Sequence, residues 1–318
     1  MWKRPLAVPA VAIAAVLAVS GCGGSSGESG DDRKLSVGLV PVADVAPIFI
    51  GISKGFFKKE GLEIETRFAA GGAAIVPSVM GGDFQIGYSN NVSLIVGHAR
   101  GLPLRAVAPG YKVGTTDGSD PCRVIAAKTS DVRRPSDLQG KSIALNTLAA
   151  IGEVTVRASL AKQGVDLNTI KFTEIPFSDM NAALANKRVD AVWNCEPFVT
   201  QAVAAGHRSI MSSMVGTQPG LQITSYFTKN SYAEKNKATV ERFTRALAAA
   251  TAYAREHPDE ARTEIARFAE IPNTVIGDMT LPTWTETMDP GSFRLLGELS
   301  HRYGLIKKPA DVNDLVSK

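Results

Sequence analysis

Few of the residues that usually carry chemistry stand close enough together to do it. The four histidines, His98, His207, His257 and His301, never recur at the short spacings from which zinc sites are built, so a histidine-based metal site is not expected. Gly140-Lys141-Ser142 imitates the end of a phosphate-binding loop, but Pro135 stands where that loop's first glycine belongs. The local order there is also helix then strand, the reverse of what such a loop needs. No Gly-x-Ser-x-Gly elbow occurs, and no histidine neighbours either Cys122 or Cys195 in sequence. No catalytic residue and no cofactor is expected, and the remaining chemistry is that of binding.

Gly71-Gly72-Ala73-Ala74 follows a strand and opens a helix. Small residues there let a ligand approach free backbone N–H groups, which favour an anionic head such as sulfonate or carboxylate; the rival reading is a tight turn that needs glycine. Ser89-Asn90-Asn91 and Asn146-Thr147 end two strands, where short amides and hydroxyls bond a ligand or cap the next helix. Asp44, just after the first strand, has N-capping near Pro47 as its rival role. Trp193-Asn194-Cys195-Glu196-Pro197 is the most informative segment. Trp193 either stacks on a planar ligand or packs in the core, and Asn194 shares its strand end. Glu196 suits the helix start that Pro197 opens, or it binds a ligand amine. Arg123 is the nearest candidate counter-ion for an acidic ligand, with a solvated arginine as the alternative.

The elements that must position these residues form two series. Strands are expected over 35–40, 62–68, 84–88 and 104–108, with helices over 47–60, 73–80 and 92–100 between them, where apolar residues recur at three and four. Residues 111–121, rich in Gly, Thr and Asp, break the rhythm. The second series has strands over 123–128, 141–146, 170–175 and 190–193, with helices over 135–138, 152–163 and 179–187. Thr217 to Gly220 is the next break, then a β-like run over 221–228 and helices over 238–256, 259–268 and 292–303. Strand, helix, strand implies right-handed crossovers and mostly parallel sheets. Two breaks about a hundred residues apart imply a chain that enters a second domain and returns, with the C-terminal helices packing on the first lobe. Ligands in open α/β sheets bind outside the carboxyl ends of the strands, so two such lobes make a cleft that hinge closure would bury.

Composition narrows the setting. The chain has 318 residues, 44% apolar and 21% charged, with 35 basic against 31 acidic residues. Disorder and collagen are excluded, and a net charge of +4 gives no reason to expect a nucleic-acid partner. Lys3 and Arg4 precede Leu6 to Val19, a run without polar side chains that is short of the roughly 20 residues a spanning helix needs. This reads as a signal peptide over 1–21. Val19-Ser20-Gly21-Cys22 resembles a bacterial lipobox, making Cys22 the expected lipidated N-terminus of the mature chain. Gly23 to Asp32 contains no apolar residue that could dock and is expected to behave as a tether reaching roughly 18 Å.

At Ala46-Pro47-Ile48-Phe49-Ile50 and Lys54-Gly55-Phe56-Phe57-Lys58-Lys59-Glu60-Gly61-Leu62-Glu63-Ile64-Glu65 the sequence resembles the solute-binding proteins of ABC importers for nitrate, sulfonates, taurine and thiamine precursors. The resemblance continues through Met80 to Gly87, Gly101-Leu102-Pro103, Asp137 to Lys141, Val189 to Trp193 with Glu196-Pro197, and Gly304 to Pro309. It implies an α/β, two-lobe type II periplasmic-binding-protein fold, lobe 1 being 35–115 plus 222–318 and lobe 2 being 116–221. It also implies ligand contact near Gly72, a cognate ABC permease as partner, and a monomer held at the extracytoplasmic face of the cell membrane by its lipid. If the strand beginning at Arg123 runs antiparallel beside the one ending at Trp193, as the resembled fold implies, Cys122 and Cys195 meet at the cleft rim. A disulfide is then expected, since an even count of cysteines remains after lipidation in an oxidising compartment. The expected solute is a small organic anion of sulfonate, taurine or aromatic-carboxylate type; the alternatives are a neutral pyrimidine stacked on Trp193 or Tyr88, and an enzyme on the same fold.

Overall fold

In the computed structural model the described residues are 33–272 and 276–316. The expected signal peptide, the lipidation site Cys22 and the tether up to Asp32 lie outside them. The chain divides into two units, Met1–Asp31 and Asp32–Lys318, and the second is described here.

The first lobe begins with β1 (Lys34–Leu39), α1 (Ala46–Ser53), α2 (Phe56–Lys59), β2 (Glu63–Phe68), α3 (Gly72–Gly81), β3 (Ile86–Asn90), α4 (Asn91–Ala99) and β4 (Leu104–Pro109). The helix expected over 47–60 is two helices. Gly55 adopts φ +73°, a left-handed conformation that ends one helix and that glycine reaches without a Cβ clash. After β5 (Tyr111–Lys112) the chain enters the second lobe: β6 (Cys122–Ala126), β7 (Ser142–Leu145), α5 (Ile151–Ala161), β8 (Lys171–Glu174), α6 (Phe177–Ala185), β9 (Ala191–Cys195), α7 (Phe198–Ala204), β10 (Arg208–Met211) and α8 (Ser213–Thr217). It returns through β11 (Thr224–Lys229), α9 (Asn230–Lys235), α10 (Lys237–Glu256), α11 (Pro258–Ala269), β12 (Thr283–Trp284) and α12 (Pro290–Arg302).

Each lobe is built on one five-stranded mixed sheet, in the order β2-β1-β3-β11-β4 and β10-β6-β9-β7-β8. In the first, β2, β1 and β3 are parallel, and the returning β11 runs antiparallel between β3 and β4. In the second, β8, β7 and β9 are parallel, while β6 runs antiparallel to β9 and β10 to β6. Helices cover both sheets, so the central strands β3 and β9 are buried almost throughout. Phe243 of α10 is fully buried and stacks on Phe57 of α2, with ring centroids 5.6 Å apart. A side chain of that size stabilises the fold by about 1.5–3 kcal/mol through burial. The long α10 thus packs on the first lobe, whereas α12 lies against both α4 and α5 and so touches both lobes.

The two crossings pair with each other. Ile223 N–H donates to Tyr111 O at 3.0 Å, Val113 N–H to Leu221 O at 2.9 Å, and Gly110 N–H to Thr224 O at 3.0 Å. Two antiparallel segments joined by backbone bonds thus link the two sheets, beside α12, which packs against both lobes.

Candidate functional site

The carboxyl ends of β1, β3, β7 and β9 point into the space between the lobes, where a small pocket is lined by Asp44, Gly72, Tyr88, Asn90, Asn146 and Trp193 among others. Strand alternation decides which neighbours take part. On β3, Tyr88 and Asn90 line the pocket while Ser89 between them is fully buried on the other face, with its side chain packed against the Gly72 backbone. On β9, Trp193 and Cys195 line it, and Asn194 does not: its amide donates to Asn181 Oδ1 at 3.1 Å and its oxygen accepts from the Cys195 N–H. The strand period thus divides each run of adjacent candidates between two faces.

Asp44 sits in a short turn ahead of α1 and is 6% exposed. Its side chain caps nothing; the Tyr88 hydroxyl lies 3.1 Å from Oδ2, and the Trp284 indole donates to its backbone oxygen at 2.8 Å. Burial pushes its carboxyl up to about 7, partly opposed by the Tyr88 hydrogen bond. Asn90 accepts the Ser93 N–H at 2.9 Å, so it caps α4 and lines the pocket at once. Asn91 is tied into the crossing by bonds to Gln222 O and from Ser225 Oγ. Trp193 is 1% exposed, donates its indole N–H to Ser213 Oγ at 2.9 Å, and offers an edge to the pocket from a core position.

The lobes touch at the rim. Asn146 Nδ2 of the second lobe donates to Ala70 O of the first at 3.2 Å. A β-carbon at Gly71 would come within 2.5 Å of Thr147 Oγ1 and 2.8 Å of Asn146 Nδ2, so glycine there permits the approach. Gly72 opens α3 with no side-chain cap, and its N–H and that of Ala73 belong to the first turn, where no intrahelical acceptor exists. The Ala73 and Ala74 side chains are exposed and lie outside the pocket.

Cys122 and Cys195 are joined by a disulfide across directly paired residues of β6 and β9, and both sulfurs line the pocket. One residue along, Arg123 and Asn194 face the other way. Arg123 donates to Asp120 O at 3.2 Å and Gly118 O at 2.9 Å and lines a second pocket together with Glu196 and Thr280. Glu196 is 2% exposed; Oε2 accepts the Thr200 N–H at 3.0 Å, in the first turn of α7, and Oε1 accepts the Thr280 N–H at 3.2 Å. Burial raises its carboxyl to about 7. Residues that the sequence did not single out complete the pocket: Tyr111, Phe177, Met214 and Thr224. Tyr111 and Thr224 belong to the crossings, whose pairing no local pattern announces. Among the described residues no cluster of three His, Cys, Asp or Glu is placed to hold a metal, and no helix is long and apolar enough to cross a membrane.

The matching family model, NMT1/THI5 like, covers residues 42–261. The chain is 24% identical over 216 residues to the putative binding protein YtlA of Bacillus subtilis, a match spanning 67% of this chain and 63% of that protein. It is 23% identical over 223 residues to the taurine-binding periplasmic protein of Escherichia coli, 68% of this chain and 67% of the relative. The alkanesulfonate-binding protein SsuA of Xanthomonas axonopodis pv. citri, solved bound to MOPS, superposes with a TM-score of 0.77 at 17% identity over 90% of this chain and 98% of that one. The two-lobe periplasmic-binding-protein fold follows from that likeness, and the matched stretch contains every residue lining the cleft pocket except Val40: this chain belongs to the NMT1/THI5-like family.

Proposed function

We propose that the protein is an extracytoplasmic solute-binding protein of an ABC importer, lipid-anchored at Cys22, whose lobes over 35–115 plus 222–318 and 116–221 close on a small organic solute and present the closed form to a permease. One observation carries this reading. A pocket lies between the strand ends of two separately built sheets, whose walls are bridged by hydrogen bonds from Asn146 to Ala70 O, from the Ala43 N–H to Glu196 O and from the Thr280 N–H to Glu196 Oε1. Each such bond is worth about 0.5–1.5 kcal/mol, so a bound solute has room to govern closure.

The solute class in this reading is sulfonate, taurine or aromatic carboxylate, with an anionic end received by the unbonded N–H groups at the start of α3. The relatives that bind taurine and alkanesulfonate lend it support. A pyrimidine is the second reading, favoured by the rings of Tyr88, Tyr111, Phe177 and Trp193 around one small pocket. Titration calorimetry with a panel of sulfonates, amino-sulfonates, aromatic carboxylates and pyrimidines tests the reading, paired with small-angle scattering. The expected result is one compound class that binds and contracts the molecule. Absence of binding throughout the panel, with an unchanging scattering profile, would overturn it. Mass spectrometry of the membrane fraction, reading diacylglycerol on Cys22, tests the anchor.

A further inference from the structure

Asp44 is the only charged side chain among the described residues that line the cleft pocket; no Lys, Arg or His lines it, and Arg123 is turned to the second pocket. A carboxylate taken out of water needs a cation or several N–H donors. Two other buried carboxylates in this protein have them. Glu196 accepts two backbone N–H groups, and Asp120 accepts three, from Cys122, Met214 and Val215.

Asp44 has one hydroxyl and its own backbone N–H. The Tyr88 oxygen lies 3.1 Å from Asp44 Oδ2 and 2.7 Å from Thr224 Oγ1, and it has a single proton to give. The Tyr111 backbone N–H, a donor that cannot turn round, is 3.1 Å from Thr224 Oγ1. Tyr88 is the donor toward both oxygens, so its one proton is shared between Thr224 and Asp44, and the carboxylate keeps most of its acceptor capacity unused. The rings of Tyr88, Tyr111 and Trp193 border the same space.

We propose that Asp44 is the counter-charge for a nitrogen-bearing solute: the cleft takes molecules that present an ammonium or an amino-substituted ring nitrogen, and discriminates against those with an anionic head alone. This rests on the solute-binding reading above and narrows it. An amino-sulfonate would set its amine on Asp44 and its sulfonate at the start of α3, while an aminopyrimidine would set its N–H edge on Asp44 between the rings. The other titratable groups that act on Asp44 are Tyr88, Tyr111, Tyr226 and Asp120, all buried and none basic, so no protein cation competes for it.

The test uses the mature protein and two matched pairs in titration calorimetry: taurine against ethanesulfonate, and 4-aminopyrimidine against 4-methylpyrimidine. In at least one pair the nitrogen-bearing compound should bind ten times more tightly or better, and Asp44→Asn should abolish that preference while circular dichroism shows an intact fold. The pair that responds tells the two nitrogen sources apart. Repeating the titration near pH 6.5 in buffers of different ionisation heat should read proton release on binding to the wild type and none in Asp44→Asn. Equal or better binding of the amine-free partners, or a preference that survives Asp44→Asn, overturns the inference and leaves the solute-binding reading standing. No binding of any of the four overturns the inference, and the broader panel then decides the reading itself.

Discussion

Two carboxylates follow strand ends, one in each lobe, Asp44 lining the cleft pocket and Glu196 a second pocket, and burial raises both to about 7. Glu196 follows β9 and spends both oxygens on backbone N–H groups, one in α7 and one at Thr280 in the chain returning to the first lobe. Asp44 follows β1 and meets its own backbone N–H and a single hydroxyl shared with Thr224. The difference lies in the partners rather than in burial or pKa. A buried acid saturated by backbone donors is a structural fastener, and a buried acid left short of donors at the edge of a pocket is a receptor for something that is not protein.

That contrast breaks most sharply at Asp44→Asn. Removing the charge while keeping the shape should weaken binding of an amine-bearing solute by on the order of 100-fold, the expected cost of depriving a buried cation of its partner. Thermal stability above pH 7 should hold or rise, because a poorly partnered buried charge has gone. A loss of stability with unchanged affinity would make Asp44 the fastener and reverse the comparison.

Glu196→Gln should do the opposite. The amide keeps one acceptor oxygen and sets its NH₂ against the other N–H, so denaturant unfolding at pH 8 should lose about 1–3 kcal/mol. Solute affinity should stay within a few-fold of the wild type. Gly71→Val tests the walls themselves, since its side chain would meet Thr147 and Asn146 where the lobes touch. About tenfold weaker binding, a more open scattering profile and an unchanged melting temperature are expected; unaltered affinity would mean that the rim contact is not part of closure.

The smallest effect is on the pH profile of stability. Asp44 and Glu196 at about 7 and Asp120 at about 6 hold protons more tightly folded than unfolded, each raised mainly by burial. Between about pH 4, where such groups titrate when unfolded, and about pH 7 the native state binds more protons. Stability measured by urea denaturation should therefore fall as pH rises through that window and level off above it. Asp44→Asn should remove part of that slope at constant ligand-free conditions, and a slope of the other sign would show these acids to be better solvated than their burial implies.

Much of the fold was legible in the chain because its local signals agree. Short β-like runs ending near Leu39, Phe68 and Tyr88, with helical periodicity between them, call for parallel strands and crossovers. The short pieces β5, β10, β12, α7, α8 and α9 were not foreseen, because two to seven residues hold no period and are fixed by what they pack against. One expected helix became two at Gly55, where a positive φ outweighed the continuing apolar pattern.

The site divides in the same way. Types and positions along the chain were enough to bring forward Asp44, Gly72, Asn90, Asn146 and Trp193, since strand ends in α/β sheets are where ligands meet protein. Which of two adjacent residues faces the cleft was decided by the sheet: Ser89, Arg123 and Asn194 each sit beside a pocket residue and point elsewhere, because a strand turns its side chains alternately. The roles of Asp44 and Glu196 were decided only by the fold. Both read as acids beside a helix start, and the number of N–H groups brought to each depends on segments far away in sequence, Tyr88 and Thr224 for one and Thr280 for the other. Sequence determines what a side chain can donate or accept; tertiary structure determines how much of that capacity the protein itself consumes, and so what is left for a ligand.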